Sequence, residues 1–152
     1  MNKFMETALI EAKKGVLKNH GGPFGAVVVL KGKIIAKAHN EVVGKKDPTL
    51  HAEINAIRKA CKKLKRFDLS DCELYSTCKP CPMCLSAIYW AKIKKIYFGC
   101  SEDDAKKIGF SDKFIHEQII SKNKKIKLEQ MERKGCLKVF ELWERKKDKI
   151  LY

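Results

Sequence analysis

The chain has 152 residues, 45% of them apolar, which suits a single domain with its own buried core, residues 1–152. Its longest apolar run, GAVVVL, is too short to span a bilayer, and no apolar segment follows Met1. We therefore expect a cytoplasmic protein without a membrane partner. The net charge of +15 raises the question of nucleic-acid binding, but 29 of the 33 basic residues are lysines spread along the whole chain, so compositional bias is favoured.

The first elements are predicted to be a helix and a hairpin. Residues 2–20 repeat apolar side chains at helical spacing. Two apolar runs, 22–30 and 33–40, flank the dipeptide Lys31-Gly32, which is typical of a two-residue hairpin turn.

The middle of the chain alternates helices and strands. In DPTLHAEINAIRKACKKL, Asp47 is expected to cap a helix whose first residue is Pro48. A strand over 72–77, a helix over 81–92 and a strand over 94–100 follow. This order predicts an α/β fold with a mixed sheet covered by helices on both faces.

The pattern is weaker after residue 100. Two short helices are predicted over 101–109 and 112–120 and an amphipathic helix over 136–149, with a fifth strand over 124–132 between them.

The stretch TCKPCPMC spaces Cys78, Cys81 and Cys84 three residues apart. Seven cysteines in a cytoplasmic chain favour metal binding or catalysis over disulfides. Cys81 and Cys84 would share one face at the start of a helix, where the helix dipole favours thiolates. Alone, these cysteines could equally be a redox pair or part of a closed structural metal site.

A separate motif, His-Ala-Glu at residues 51–53, decides between these alternatives. Zinc in a catalytic site takes three protein ligands and leaves the fourth position to water, and His51 would complete a set with Cys81 and Cys84. Glu53 is not needed as a ligand and could accept a proton from the water. A closed site with Cys78 as fourth ligand would leave Glu53 without a role, so catalytic zinc is the favoured reading.

His-x-Glu followed by Pro-Cys-x-x-Cys is the signature of zinc-dependent deaminases. The chain resembles the cytidine deaminase-like superfamily and, within it, the bacterial guanine deaminases. The segments that carry this resemblance cover nearly the whole chain: GGPFGAVVV, DPTLHAEINAIRKAC, CKPCPMCLSAIYWA, GFSDKFI and the terminal tyrosine. It implies a three-layer α/β/α sandwich around a five-stranded mixed sheet, and hydrolysis of guanine by water to xanthine and ammonia in purine salvage or catabolism.

The resemblance also implies roles for individual residues. His51, Cys81 and Cys84 would hold one zinc ion per subunit, and Glu53 would shuttle the proton. The substrate-binding positions that it implies are Asn40, the backbone N–H of Ala52, Phe24, Trp90, Asp112 and Tyr152. The protein would be a homodimer, in which the C-terminal helix and tail, 136–152, can be exchanged between subunits. Ser111 and His116 depart from the pattern of the guanine deaminases, which often have an acidic residue and an aromatic residue there.

Three other functions are compatible with parts of this pattern. A tRNA-specific adenosine deaminase would use the same metal chemistry on a flipped-out nucleotide, and the high positive charge favours it. Trp90, the GFSD motif and Tyr152 favour a purine base in a closed pocket. Deamination of cytosine or a free nucleoside is a third option, and a non-catalytic zinc module is disfavoured by Glu53.

Overall fold

The computed structural model describes residues 2–122 and 125–150, which form two compact units, one ending at Lys113 and the other beginning at Phe114. The elements, in chain order, are α1 (Lys3–Leu17), β1 (Gly25–Leu30), β2 (Lys33–His39), α2 (Val42–Lys45), α3 (Ala52–Leu64), β3 (Cys72–Cys78), α4 (Pro82–Trp90), β4 (Lys95–Cys100), α5 (Glu102–Lys107), α6 (Lys113–Ile120) and α7 (Arg133–Arg145). Among these helices, none has the length and apolar character that a membrane span requires.

The first unit is built on a mixed four-stranded sheet with the strand order β2-β1-β3-β4. β1 pairs antiparallel with both β2 and β3, and β3 pairs parallel with β4. The predicted hairpin turn is confirmed: Lys31 and Gly32 both have positive φ, 47° and 72°, as a turn between two twisted strands requires.

The prediction of a fifth strand is wrong for the residues that the structure describes. Residues 125–132 are irregular, and the apolar side chains that suggested alternation, Ile126 and Leu128, are exposed. A strand forms by pairing its backbone with a neighbour, and apolar alternation by itself supplies no partner.

Two apolar clusters cover the two faces of the sheet. On one face, Ala56 and Ala60 of α3 and Ile88 of α4 pack with Val28 and Leu74 of the strands. On the other face, Ala8 of α1 packs with Val27, Val29 and Tyr75. The arrangement is helix, sheet, helix, as the sequence predicts.

The start of α3 differs from the prediction. Asp47 does not cap it: its carboxylate accepts hydrogen bonds from the N–H and the hydroxyl of Thr49, at 2.8 and 2.7 Å, and forms a local turn. The helix begins at Ala52 with His51 as its N-cap. This shift has a functional consequence, because it places His51 at the end of the helix and not within it.

The second unit contains most of α6 and the whole of α7. No described residue from Phe114 onward is buried. Phe140 and Trp143 of α7, which the helical pattern predicts to face inward, are 67% and 41% exposed.

Candidate metal and catalytic site

Two helix starts bring the predicted metal ligands together. His51 is the N-cap of α3 and Cys81 is the N-cap of α4, and Pro82 occupies the first position of α4. Nδ1 of His51 lies 3.5 Å from Sγ of Cys81 and 3.5 Å from Sγ of Cys84. The three donor atoms all lie within 4.8 Å of one another.

The donor set fits zinc. Zinc holds thiolate sulfur at about 2.3 Å and imidazole nitrogen at about 2.0–2.1 Å, so a tetrahedral site requires a nitrogen-to-sulfur separation of about 3.6 Å. The observed separations are within about 0.1 Å of that value. Three protein ligands of mixed sulfur and nitrogen are typical of a catalytic zinc site, whose fourth position is left to water.

The site favours a thiolate at Cys81. Hydrogen bonds from Cys84 and His51 outweigh the effect of burial and lower the pKa of Cys81 to about 4. The same hydrogen bond with Cys81, together with burial, raises the pKa of Cys84. The hydrogen bond to Cys81 also raises the pKa of His51. A divalent cation at this position would stabilise the deprotonated form of both thiols.

Glu53 lies beside the ligands without belonging to them. Its side chain is 5% exposed, Oε1 accepts a hydrogen bond of 3.0 Å from the Ser76 hydroxyl, and Oε2 lies 3.5 Å from Sγ of Cys84. Burial raises the pKa of Glu53. A carboxyl whose pKa is raised towards neutrality can both accept and return a proton, which is what a proton shuttle requires.

A cavity of about 470 Å³ adjoins the metal ligands and is lined by His51, Asn40, Phe24 and Phe110 among others. The rings of Phe24 and Phe110 meet edge to face, with centroids 5.0 Å apart. The sequence predicts a role for Phe24 but not for Phe110. Phe110 lies in the GFSD motif, in which the expectations concern Ser111 and Asp112. No local pattern distinguishes Phe110 from other exposed apolar residues.

The Asn40 amide has a fixed orientation. Its Oδ1 accepts a hydrogen bond of 3.2 Å from the N–H of Val42, so its NH₂ group is the one that can donate to a ligand. Gly21 allows this arrangement, because a Cβ at that position would come within 2.0 Å of Oδ1 of Asn40.

The other predicted substrate residues are dispersed. Ala52 is fully buried in the first turn of α3, between His51 and Glu53. Trp90 ends α4, is 65% exposed and is not among the residues that line this cavity. Asp112 directly precedes α6 and also lies outside the lining. Tyr152 lies outside the described residues.

The third cysteine of TCKPCPMC, Cys78, ends β3 and is not one of the clustered donors. Its thiol donates to the carbonyl of Ser101 at 3.6 Å. Burial raises the pKa of Cys78 to about 11, and the charges of Glu53 and Asp112 add to that rise. A protonated thiol is a poor zinc ligand, which agrees with a site of three ligands.

Comparisons with known proteins agree with this chemistry. The family model of the cytidine and deoxycytidylate deaminase zinc-binding region matches residues 1–100. Guanine deaminase of Bacillus subtilis (strain 168) is 51% identical over 116 residues, covering 76% of this chain and 74% of that protein. A crystal structure of guanine deaminase from Bacillus subtilis has a TM-score of 0.94 at 44% identity and covers 100% of this chain and 99% of its own.

A second solved structure comes from a study of A-to-I editing by tRNA:A34 deaminases. It has a TM-score of 0.65 at 41% identity and covers 67% of this chain and 78% of its own. The matching family model, the identity to these relatives and the donor set lead to one conclusion: the chain belongs to the cytidine and deoxycytidylate deaminase family of zinc-dependent hydrolytic enzymes.

Proposed function

We propose that the protein deaminates guanine to xanthine and ammonia. The observation that carries this proposal is the extent of the similarity: the guanine deaminase structure matches the whole chain, whereas the tRNA deaminase structure matches 67% of it. The part of the chain from Phe114 onward therefore resembles the guanine enzyme, and this is where selectivity beyond the shared chemistry is expected to arise.

In this proposal His51, Cys81 and Cys84 would hold zinc, and a bound zinc would lower the pKa of a water molecule so that the water could act as a nucleophile near neutral pH. The water oxygen would bond to carbon 2 while Glu53 accepts a proton from that water, and Glu53 would return the proton to the amino nitrogen, whose bond to carbon 2 then breaks to release ammonia. Ser76 holds Oε1 of Glu53, which fixes the direction of proton transfer. The buried position of Glu53 keeps bulk water from competing for that proton.

The base is proposed to lie in the cavity between Asn40 and the two phenylalanine rings. The Asn40 NH₂ would donate to an acceptor on the purine edge, and Phe24 with Phe110 would contact its flat face. The Ala52 N–H, Trp90, Asp112 and Tyr152 remain proposed contacts, with Asp112 suited to the amino and ring N–H groups of guanine.

We further propose a homodimer that can exchange residues 136–152 between subunits. The apolar side chains that α7 leaves exposed support the homodimer, because a second copy could cover them; they are Val139, Phe140, Leu142 and Trp143.

The compartment of the protein is proposed to be the cytoplasm, since all seven cysteines are free, as in a reducing environment.

A tRNA-specific adenosine deaminase is the second candidate. The 41% identity of the tRNA deaminase structure over the shared region and the net charge of +15 favour it. Ammonia release measured in parallel on guanine, guanosine, adenine, cytosine and a tRNA anticodon hairpin separates the candidates. The proposal predicts release from guanine above all others, and release from the hairpin alone would overturn it.

A further inference from the structure

A second cluster of metal-binding side chains lies where β2 ends, and the proposed reaction uses none of them. Donor atoms of His20, His39 and Glu41 all lie within 4.8 Å of one another. Nδ1 of His20 is 2.9 Å from Nε2 of His39, and the two rings stack with centroids 5.2 Å apart. Two imidazoles and a carboxylate converge here, although the three residues come from two separate stretches of the chain.

The buried histidine of this cluster is oriented by a carboxylate behind it. Nδ1 of His39 lies 3.1 Å from Oε2 of Glu11, which is 5% exposed. Burial alone would raise the pKa of Glu11, but the hydrogen bond with His39 and the charges of Lys14 and Lys37 outweigh it and hold the pKa below its ordinary value. An ionised Glu11 accepts a hydrogen bond from Nδ1–H of His39 and leaves the lone pair on Nε2 facing His20. A carboxylate on the far nitrogen of a histidine is the arrangement found behind metal-bound histidines.

The remaining donors are also held in place. Nδ2 of Asn55 donates to Oε2 of Glu41 at 3.3 Å and to the carbonyl of His39 at 3.2 Å. The carbonyl of His20 accepts two backbone hydrogen bonds, of 3.0 and 2.9 Å, from residues of α2. The donors therefore come from backbone that is already fixed, which limits the conformational entropy lost when they bind an ion.

We propose that His20, His39 and Glu41 form a second binding site, specific for a first-row divalent transition metal. Imidazole nitrogens with one carboxylate suit zinc, iron, cobalt, nickel or copper and suit magnesium or calcium poorly. The carboxylates of Glu41 and Glu11 together would balance the two positive charges of the ion. Nζ of Lys37 lies 3.4 Å from Oε1 of Glu11 and offsets part of the negative charge of these carboxylates. Three protein ligands leave at least one position for water.

Metal binding requires two small changes in the cluster. In the described arrangement His20 donates its Nδ1 proton to Nε2 of His39, so that proton has to move to Nε2 of His20 before both nitrogens can bind an ion. Two nitrogens in a tetrahedral site stand about 3.3–3.4 Å apart, so the rings have to separate by about 0.5 Å. His20 is half-buried and His39 is buried, so the side chain of His20 is the one expected to make that movement. A surface groove of about 400 Å³ is lined by Glu41 and Asn55.

The test is the zinc stoichiometry of the full-length enzyme. After incubation with excess zinc and removal of unbound metal, mass spectrometry of the wild type is expected to give about two zinc ions per subunit. His20→Asn and Glu41→Gln should each give about one, since the site with two thiolates is intact. Glu11→Gln should keep the second zinc but weaken its binding by about 10- to 100-fold. Glu6→Gln, an exposed carboxylate on the same helix, is the matched control and should behave as the wild type.

A measurement on the wild type guards against variants that do not fold. Cobalt added to protein that already holds one zinc should give visible d–d absorption without the thiolate-to-cobalt charge-transfer band, because no cysteine belongs to the second site. One zinc per subunit and no such cobalt spectrum would overturn the proposal and leave the cluster as a hydrogen-bonded brace. Two zinc ions retained in all the His20 and Glu41 variants would overturn it too, since the second ion would then lie elsewhere. None of these readouts uses a substrate, so they are independent of the proposed function.

Discussion

The two units of the chain differ in what they bury. The first unit places the metal donors and Glu53 against a closed sheet and two apolar clusters, with Cys84 fully buried. The second unit has no buried residue among those the structure describes, and most of its large apolar side chains are exposed. The candidate metal and catalytic residues thus lie within one compact unit, while the unit beginning at Phe114 leaves large apolar side chains exposed. Substitutions in the first unit should affect the reaction itself, and changes in the second should affect selectivity and assembly.

The largest effect is expected at Glu53. Glu53→Gln keeps the shape of the side chain and the hydrogen bond to Ser76 but removes the proton acceptor, so kcat/KM for guanine should fall by about 10²–10⁴-fold. Zinc content measured by mass spectrometry should be unchanged. Robust turnover by this variant would sink the shuttle role.

The next effect is expected at Asn40. Asn40→Ala removes a donor to the base and should lower kcat/KM for guanine by about tenfold to hundredfold, since about 1–3 kcal/mol is lost when a polar partner is left unpaired. Asn40→Asp is the informative control, because it keeps an oxygen that can accept from Val42 and puts a carboxylate oxygen in place of the NH₂ donor. If Asn40→Asp retains wild-type kinetics, donation by this amide plays no part in binding.

A smaller effect tests the second unit. Removal of Ile150 to Tyr152 should lower guanine turnover on the order of tenfold, because it removes the proposed contact of Tyr152 with the base, and should leave the midpoint of urea unfolding unchanged. Tyr152→Phe separates the hydroxyl from the ring. Unchanged kinetics in the truncated protein would mean that residues 150–152 do not contribute to turnover. The proposed role of the second unit in selectivity would then lose this support.

The smallest effect concerns the acid stability of the first unit. Hydrogen bonds from Ser70 and Lys92 hold the pKa of Asp68 at about 2, below the ordinary value of 3.8. The folded state therefore gains stability from ionised Asp68 above about pH 3.8 and loses it as the pH falls to about 2. The free energy of unfolding of Asp68→Asn should lie slightly below that of the wild type at pH 7, and the two should converge near pH 2. A gap that does not change with pH would contradict this.

The features of the structure that short-range rules determine could be predicted from the sequence. The hairpin follows from Lys31-Gly32, and the pairing of His51 with Cys81 and Cys84 follows from motif spacing. The predictions were wrong where tertiary contacts decide the local structure. The segment 125–132 alternates apolar residues but is not a strand, and the Asp47 carboxylate accepts hydrogen bonds in a turn and does not cap α3. The positions of Phe110 and the buried Glu11 could not be predicted from neighbouring residues, because each depends on a contact with a residue far along the chain. Phe110 contacts Phe24, and Glu11 contacts His39.

The most direct test is to measure by chromatography the product that the zinc-loaded enzyme forms from guanine. The measurement is repeated after zinc is removed by a chelator and again after zinc is restored. The account predicts one xanthine and one ammonia for each guanine consumed, loss of both on chelation and recovery of both with zinc. Absence of xanthine from zinc-loaded protein that converts adenosine to inosine in an anticodon hairpin would contradict it.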